Sequence, residues 1–269
     1  MEIKNTFIHG GNTGDVLASL PALKEFYKKT GKKAILYLRN GEQAFYYEGA
    51  VHPVKDTQGE NVKLNQYMIN MLLPLLSIQP YIEMVKEWEG EEFAIDLDAI
   101  RTGYVGMPFF MIQRWYFYVY PDLACDLSKS WLEIPETDKD FAIGKFIVTR
   151  TERYLNNKID YSFLKEYEKD ILFAGTELEF IIFKTRFGLN IKRLEVNDFL
   201  ELAQAIKQSK FHLSNQTMAA QISEGIKHPR IVELCGSAGN VIPIGEDAFD
   251  FFAQEGLEYY CKYLFNKYE

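Results

Sequence analysis

Three cysteines are all the sequence holds, Cys125, Cys235 and Cys261, and no two of them form a CxxC pair. A disulfide framework and a zinc knuckle are therefore not indicated, and the scarcity fits a reducing cytoplasm. Histidine is almost as scarce: the four residues show no metal-ligand spacing and no HExxH run. No block of lysine and arginine occurs, and the formal charge is −8. A general duplex-DNA binder needs a basic face to neutralise phosphates, so the sequence argues against that class. Long apolar runs are missing too. The longest, residues 68–78, is broken by Asn70, Pro74 and Ser77 and is too short to cross a bilayer. The start, MEIKNTFIHGG, has no basic start followed by a long apolar run and does not read as a signal peptide. A GxSxG hydrolase elbow and a Gly-Lys-Ser/Thr P-loop are both absent. These absences predict a cytoplasmic protein without a transmembrane segment, with room for a peripheral contact at the membrane.

What is present reads as α/β. At 269 residues the chain can form one large domain or two small ones. Residues 3–9 read as a short strand, residues 10–14 as a glycine-rich turn, and Val16, Leu17, Leu20, Leu23 and Phe26 recur at helical spacing. Residues 34–38 give a second strand, so the chain opens strand–loop–helix–strand, the unit of a parallel sheet. Further on, the pattern predicts a helix over 62–76 up to Pro74, a strand over 93–97 and an aromatic helix over 108–120. Charges and Pro135 mark a linker within 129–139. Beyond it, strands at 146–149, 171–173, 191–196, 211–213 and 231–234 alternate with helices, including 161–169, which is the count of a small doubly wound domain. Residues 248–268 carry a wide aromatic face at helical spacing, which must pack on something.

Ligands in such sheets sit at the carboxyl ends of strands, so the loops there carry the candidate residues. The first is His9-Gly10-Gly11-Asn12-Thr13-Gly14-Asp15. Its glycines admit close backbone approach, and the helix behind it favours negative charge. With His9 at the first glycine position it only approximates GxGxxG, and a tight turn without a ligand explains it equally. Asp15 reads either as a base for a hydroxyl proton or as an acid complementing the helix N-terminus. Residues 93–98 end in Asp96-Leu97-Asp98, with Arg101 beyond; Asp96 and Arg101 taken singly read as solvated charges. The strand 146–149 runs into Thr149, Arg150, Thr151 and Arg153, and arginine forks suit phosphate oxygens. Gly175 follows the next strand. Ser214 or Asn215 could cap a helix that opens at Gln216 and Thr217, whose free N–H groups could hold a phosphate or simply be capped.

Residues 14–23, Gly-Asp-Val-Leu-Ala-Ser-Leu-Pro-Ala-Leu, resemble the N-terminal signature of the ADP-heptose:lipopolysaccharide heptosyltransferases of glycosyltransferase family 9, and 211–234 continue the resemblance. Pro21 inside a helical pattern makes the match more telling. The sequence departs from the family with Asn215-Gln216-Thr217 where relatives usually carry Asp-Thr-Gly, and with no histidine in the helix that follows. The resemblance implies a GT-B-like fold: two Rossmann-like doubly wound domains, at 1–138 for the acceptor and 139–247 for the donor nucleotide, with a cleft between them. A C-terminal helix, 248–269, would cross back to pack on the first domain. It implies metal-independent transfer of a sugar from a nucleotide-sugar donor, bound as substrate, to an acceptor hydroxyl, with no cofactor. Asp15 would be the catalytic base. Thr149, Arg150, Thr151, Arg153, Gly175, Asn215, Gln216 and Thr217 would bind the donor. Gly11, Asn12, Thr13, Gly14 and Asp98 would lie on the acceptor side. The acceptor could be a sugar, a lipid-linked molecule, a protein or a nucleic acid. A non-catalytic nucleotide- or sugar-binding protein and a nucleotide-sugar epimerase are the alternatives.

Overall fold

The computed structural model describes residues 4–46, 48, 52–102, 111–236 and 238–269. The chain forms two compact units: Met1–Leu127 with Trp131–Glu133 and Asp198–Leu200, and Ser128–Ser130 with Ile134–Asn197 and Glu201–Glu269.

The first unit is built on β1 (Thr6–His9), β2 (Ala34–Leu38), β3 (Ile82–Glu87) and β4 (Ile95–Asp96), all parallel in the order β3-β2-β1-β4. Between β1 and β2 runs α1 (Thr13–Thr30), and α2 (Gln66–Ser77) precedes β3. After β4 come the single turn α3 (Ala99–Thr102) and α4 (Gln113–Val119). The predicted aromatic helix is thus shorter than its pattern, and its positions 108–110, like position 3 of the first predicted strand, lie outside the described residues. Every residue of α1 from Asp15 to Leu23 is buried, Pro21 included, so the helix is packed on all sides at its N-terminal half. The first missing N–H of a helix proline costs least where tertiary packing holds the turn, and α2 passes through Pro74 in the same way, ending at Ser77.

The second half of the chain runs β5 (Phe146–Thr149), a 3₁₀ segment (Ser162–Asp170) in place of the expected α-helix, β6 (Ile171–Phe173), α5 (Glu177–Phe187), β7 (Lys192–Arg193), α6 (Phe199–Gln208), β8 (His212–Ser214), α7 (Met218–Ile226), β9 (Arg230–Glu233), β10 (Ala248–Phe251) and α8 (Gln254–Lys267). Its six strands are parallel in the order β10-β9-β8-β5-β6-β7. Counted from β5, that is the 3-2-1-4-5-6 order of a Rossmann sheet, and the first unit carries the 3-2-1-4 part of the same order. The chain reverses direction of winding between β1 and β4, and again between β5 and β8. Those two points are where ligands gather in such sheets.

The C-terminal expectation is corrected. Residues 248–251 form a sixth strand rather than the start of a helix, and α8 packs within the second unit. Leu257, Cys261, Leu264 and Phe265 recur at i, i+4, i+7 and i+8 and close the core over β5 and β8. Phe265 stands edge-on to Phe146 at 4.7 Å and to Phe211 at 5.1 Å, and stacks on Tyr167 at 3.7 Å. The apolar face that called for a partner finds it on its own sheet. Among the described residues no helix is long and apolar enough to cross a membrane.

Candidate functional site

At the first switch point β1 ends in His9, the chain turns through Gly10, Gly11 and Asn12, and α1 begins at Thr13 and Gly14. The turn is filled by its own chain. A Cβ on Gly10 would stand 2.8 Å from the Glu42 carboxylate carbon and 3.0 Å from Asp98 Oδ2, and one on Gly11 would stand 2.6 Å from His9 Cε1 and 2.8 Å from Asp15 Cβ. Close approach is therefore needed for protein side chains first. Asp98 arrives from the end of β4, where Oδ2 accepts the Gly10 N–H at 2.6 Å and an Arg39 guanidinium N–H at 2.8 Å. Arg39 also reaches Asp96 at 3.3 Å and lies 5.7 Å from the Trp88 ring and 5.6 Å from the Phe93 ring. Burial pushes the Asp98 carboxyl up. The His9 ring, the Gly10 amide and Arg39 outweigh that and hold it below its ordinary value.

Asp15 sits on the first turn of α1. Its Oδ2 accepts the Asn12 N–H at 3.3 Å and the Arg101 Nη2 at 2.8 Å. Asp96 and Arg101, taken singly as solvated charges, are 38% and 43% exposed, and each is also half of an ion pair. The Tyr116 hydroxyl donates to the Asp15 carbonyl at 2.9 Å, so its contact with His9 Nε2 at 2.8 Å requires the ring nitrogen to be the donor. The other nitrogen, Nδ1, lies 2.9 Å from the Gly11 N and 3.0 Å from Asp98 Oδ1. Asn12, for its part, accepts the Tyr46 hydroxyl at 2.8 Å. Arg39 and Tyr116 were not singled out from sequence, and His9 entered only as the residue at the first glycine position of the loop. The one hint was a histidine ending an apolar strand where a glycine would complete a motif.

At the second switch point the candidate donor residues come together, but most of their side chains are engaged by the protein. Arg150 is corrected as a phosphate fork: it is buried, with Nε 2.8 Å from Glu233 Oε2 and Nη2 3.2 Å from Oε1. Asn215 clamps the neighbouring loop. Its Oδ1 accepts the Thr151 N–H at 3.0 Å, and its Nδ2 donates to the carbonyls of Thr151 at 2.9 Å and Tyr154 at 2.8 Å. Gln216 does the same across β9, donating to the Ala238 carbonyl and accepting the Cys235 N–H at 2.8 Å. The cap of α7 is Thr217, not Ser214 or Asn215: its hydroxyl accepts the Ala220 N–H at 3.2 Å. Gly175 leaves room for the Phe173 ring, which a Cβ would meet at 2.7 Å. Arg153 lies partly exposed, its guanidinium 4.8 Å from the Tyr154 ring.

The Thr149 hydroxyl is also turned inward. Ser223 Oγ donates to the Ala220 carbonyl at 3.1 Å, so His212 Nδ1, 3.0 Å away, donates to Ser223. Neutral His212 then accepts the Thr149 hydroxyl proton at Nε2, over 3.0 Å.

Neither a protein-family model nor a curated protein matches this sequence. Solved structures do match. The Escherichia coli heptosyltransferase WaaC with ADP superposes with a TM-score of 0.64 at 10% identity, over 96% of this chain and 99% of that one. The glycosyl transferase family 9 structure from Veillonella parvula gives 0.57 at 10%, over 100% and 90%. The dodecameric iron-containing glycosyltransferase TibC of E. coli gives 0.54 at 12%, over 95% and 64%. This chain has the heptosyltransferase fold.

Within that heptosyltransferase fold the second unit buries a pair of neutral histidines. Burial first, then neighbouring charge from His228 and Arg230, pulls His212 down to about 3, and burial with Arg230 does the same to His228. Free histidine titrates near 6.5. Between those values the unfolded chain binds protons that the native one refuses, so stability is complete above about pH 6.5, falls as pH drops below it, and stops falling near pH 3. Urea midpoints measured across that range should trace this slope, and a His212→Gln variant that folds should show a shallower one.

Proposed function

We propose that the protein transfers a sugar from a nucleotide-sugar donor to an acceptor hydroxyl. The observation that carries this reading is Asp15, a carboxylate at the carboxyl end of β1, beside the switch point, held in place from three sides. The acceptor hydroxyl gives its proton to Asp15 while its oxygen attacks the anomeric carbon. The bond from that carbon to the diphosphate breaks, and the leaving nucleotide diphosphate keeps the electron pair. Within the second unit, the first-turn N–H groups of α7 and Arg153 on the loop after β5 are the candidates for holding a diphosphate. The donor side therefore relies on backbone more than the sequence suggested.

The engagement of Arg150, Asn215 and Gln216 within the protein favours a second reading, a non-catalytic nucleotide- or sugar-binding protein. A thermal-shift panel of nucleotides and nucleotide sugars, followed by product analysis with and without acceptors, separates the two. A ligand at about 100 times its Kd stabilises by about 2.7 kcal/mol, and transfer requires consumption of the donor as well. Binding without consumption selects the second reading. Donor converted without an acceptor selects an epimerase or hydrolase. No shift with any nucleotide sugar removes the first reading.

We further propose that transfer needs no divalent metal. Asp96-Leu97-Asp98 has a metal-binding spelling, but both carboxylates are spent on Arg39. Turnover should survive EDTA; loss of turnover that Mg²⁺ or Mn²⁺ restores would return Asp96 and Asp98 to a ligand role.

A further inference from the structure

We propose that Arg101 is a positioning residue for Asp15, holding carboxylate oxygen Oδ2 so that Oδ1 takes the acceptor's proton; this rests on the glycosyl-transfer reading above. Among the described residues, two hydrogen bonds reach the Asp15 carboxylate and both arrive at Oδ2, from Arg101 Nη2 at 2.8 Å and from the Asn12 N–H at 3.3 Å. Two donors on one oxygen fix the plane of the carboxylate and direct the other oxygen away from them.

Arg101 is itself held. Its backbone N–H donates to the Asp98 carbonyl at 2.8 Å, and its guanidinium lies 5.2 Å from the Trp115 ring. The next residue, Tyr116, donates to the Asp15 carbonyl at 2.9 Å. Asp15 is thus gripped at its carboxylate by α3 and at its backbone by α4. The Asp15 side chain is 12% exposed and that of Arg101 43%, so the arginine is the outer, more solvated member of the pair. An ion pair so placed contributes little to stability. What it does supply is orientation, because a reacting carboxylate displaced by about 1 Å can lose roughly a hundredfold in rate.

The test has one arm that needs a substrate and one that does not. With the nucleotide sugar selected by the panel above, ADP-heptose being the first probe, Arg101→Gln should lower kcat about tenfold to a hundredfold and leave the donor KM within about twofold. Arg101→Lys should recover part of the loss. Combining Asp15→Asn with Arg101→Gln should be no slower than Asp15→Asn alone, because a residue that acts through Asp15 has nothing left to position. An unchanged kcat, or losses that multiply, overturns the proposal. Without substrate, the guanidinium N–H signals of Arg101 should be resolved by NMR in the wild type and lost to exchange in Asp15→Ala, which removes the acceptor; signals equal in both also overturn it. If the wild type turns over no nucleotide sugar, the transfer reading fails, and the NMR arm still decides whether Arg101 holds Asp15.

Discussion

Glu233→Ala is expected to cost about 3–5 kcal/mol, enough to unfold the second unit in much of the population, because it strands a buried arginine. Glu233 is fully buried in β9 and is the acceptor for four groups: Arg150 Nε and Nη2, the Tyr161 hydroxyl at 2.5 Å, and the Asn156 N–H. Burial would pull the Arg150 guanidinium down, but Glu233 outweighs it and keeps the group charged above its ordinary value. The Tyr161 phenol is pushed well above its ordinary value by burial and then by Glu233, so it remains a donor. Removing the carboxylate leaves the phenol without its acceptor and the cation with only the Asn156 carbonyl at 3.5 Å and the Glu152 carboxylate at 3.9 Å, in a low-dielectric interior. Replacing both members at once, Arg150→Met with Glu233→Leu, should recover much of the loss, since apolar pairs of similar volume often match buried ion pairs. Urea midpoints of the single and double variants check this. A single variant as stable as the wild type would show that the pair contributes nothing.

Asp15→Asn should slow turnover by roughly 10²–10⁴-fold and leave nucleotide affinity unchanged. Asparagine keeps the shape and can still accept from Arg101 and the Asn12 N–H, but it cannot take a proton from a hydroxyl. The stability cost should be limited to about 0.3–1 kcal/mol, the worth of a carboxylate at a helix N-terminus. The structure shows Asp15 in the capping role; the base role is the proposal, and this variant separates the two. A folded Asp15→Asn protein with undiminished turnover would leave only the capping role.

The alternation of strands and helices was legible where a strand is a short buried run that ends in a polar or glycine-rich turn, as in β1, β2, β5 and β8. His9-Gly10-Gly11 and Thr149-Arg150 mark such ends without any long-range information. What sits at those ends was also legible, but not what each side chain does there. Arg150 and Glu233 lie 83 positions apart, and nothing local says that one consumes the other. Asn215 and Gln216 likewise spend their amides on loops that only the folded sheet brings near. The segment from Ala248 to Phe251 was misread for a different reason. Its aromatics continue those of the next helix, so helical and alternating periods overlap, and pairing with β9 settles the matter.

The position of α8 also bears on how the protein is made. Phe146 in β5 and Phe265 in α8 meet edge to face, although 119 residues separate them by number (265 − 146). The core over β5 therefore stays open while a ribosome reads through the whole second unit, and it closes only once the last turn of α8 has emerged. Until then the faces of Phe146 and Phe211 are uncovered, a state open to chaperone capture or aggregation. Nascent chains halted before residue 254 should thus remain protease-sensitive over 146–233, whereas the first unit, whose sheet is complete by β4, has all its strands in hand much earlier.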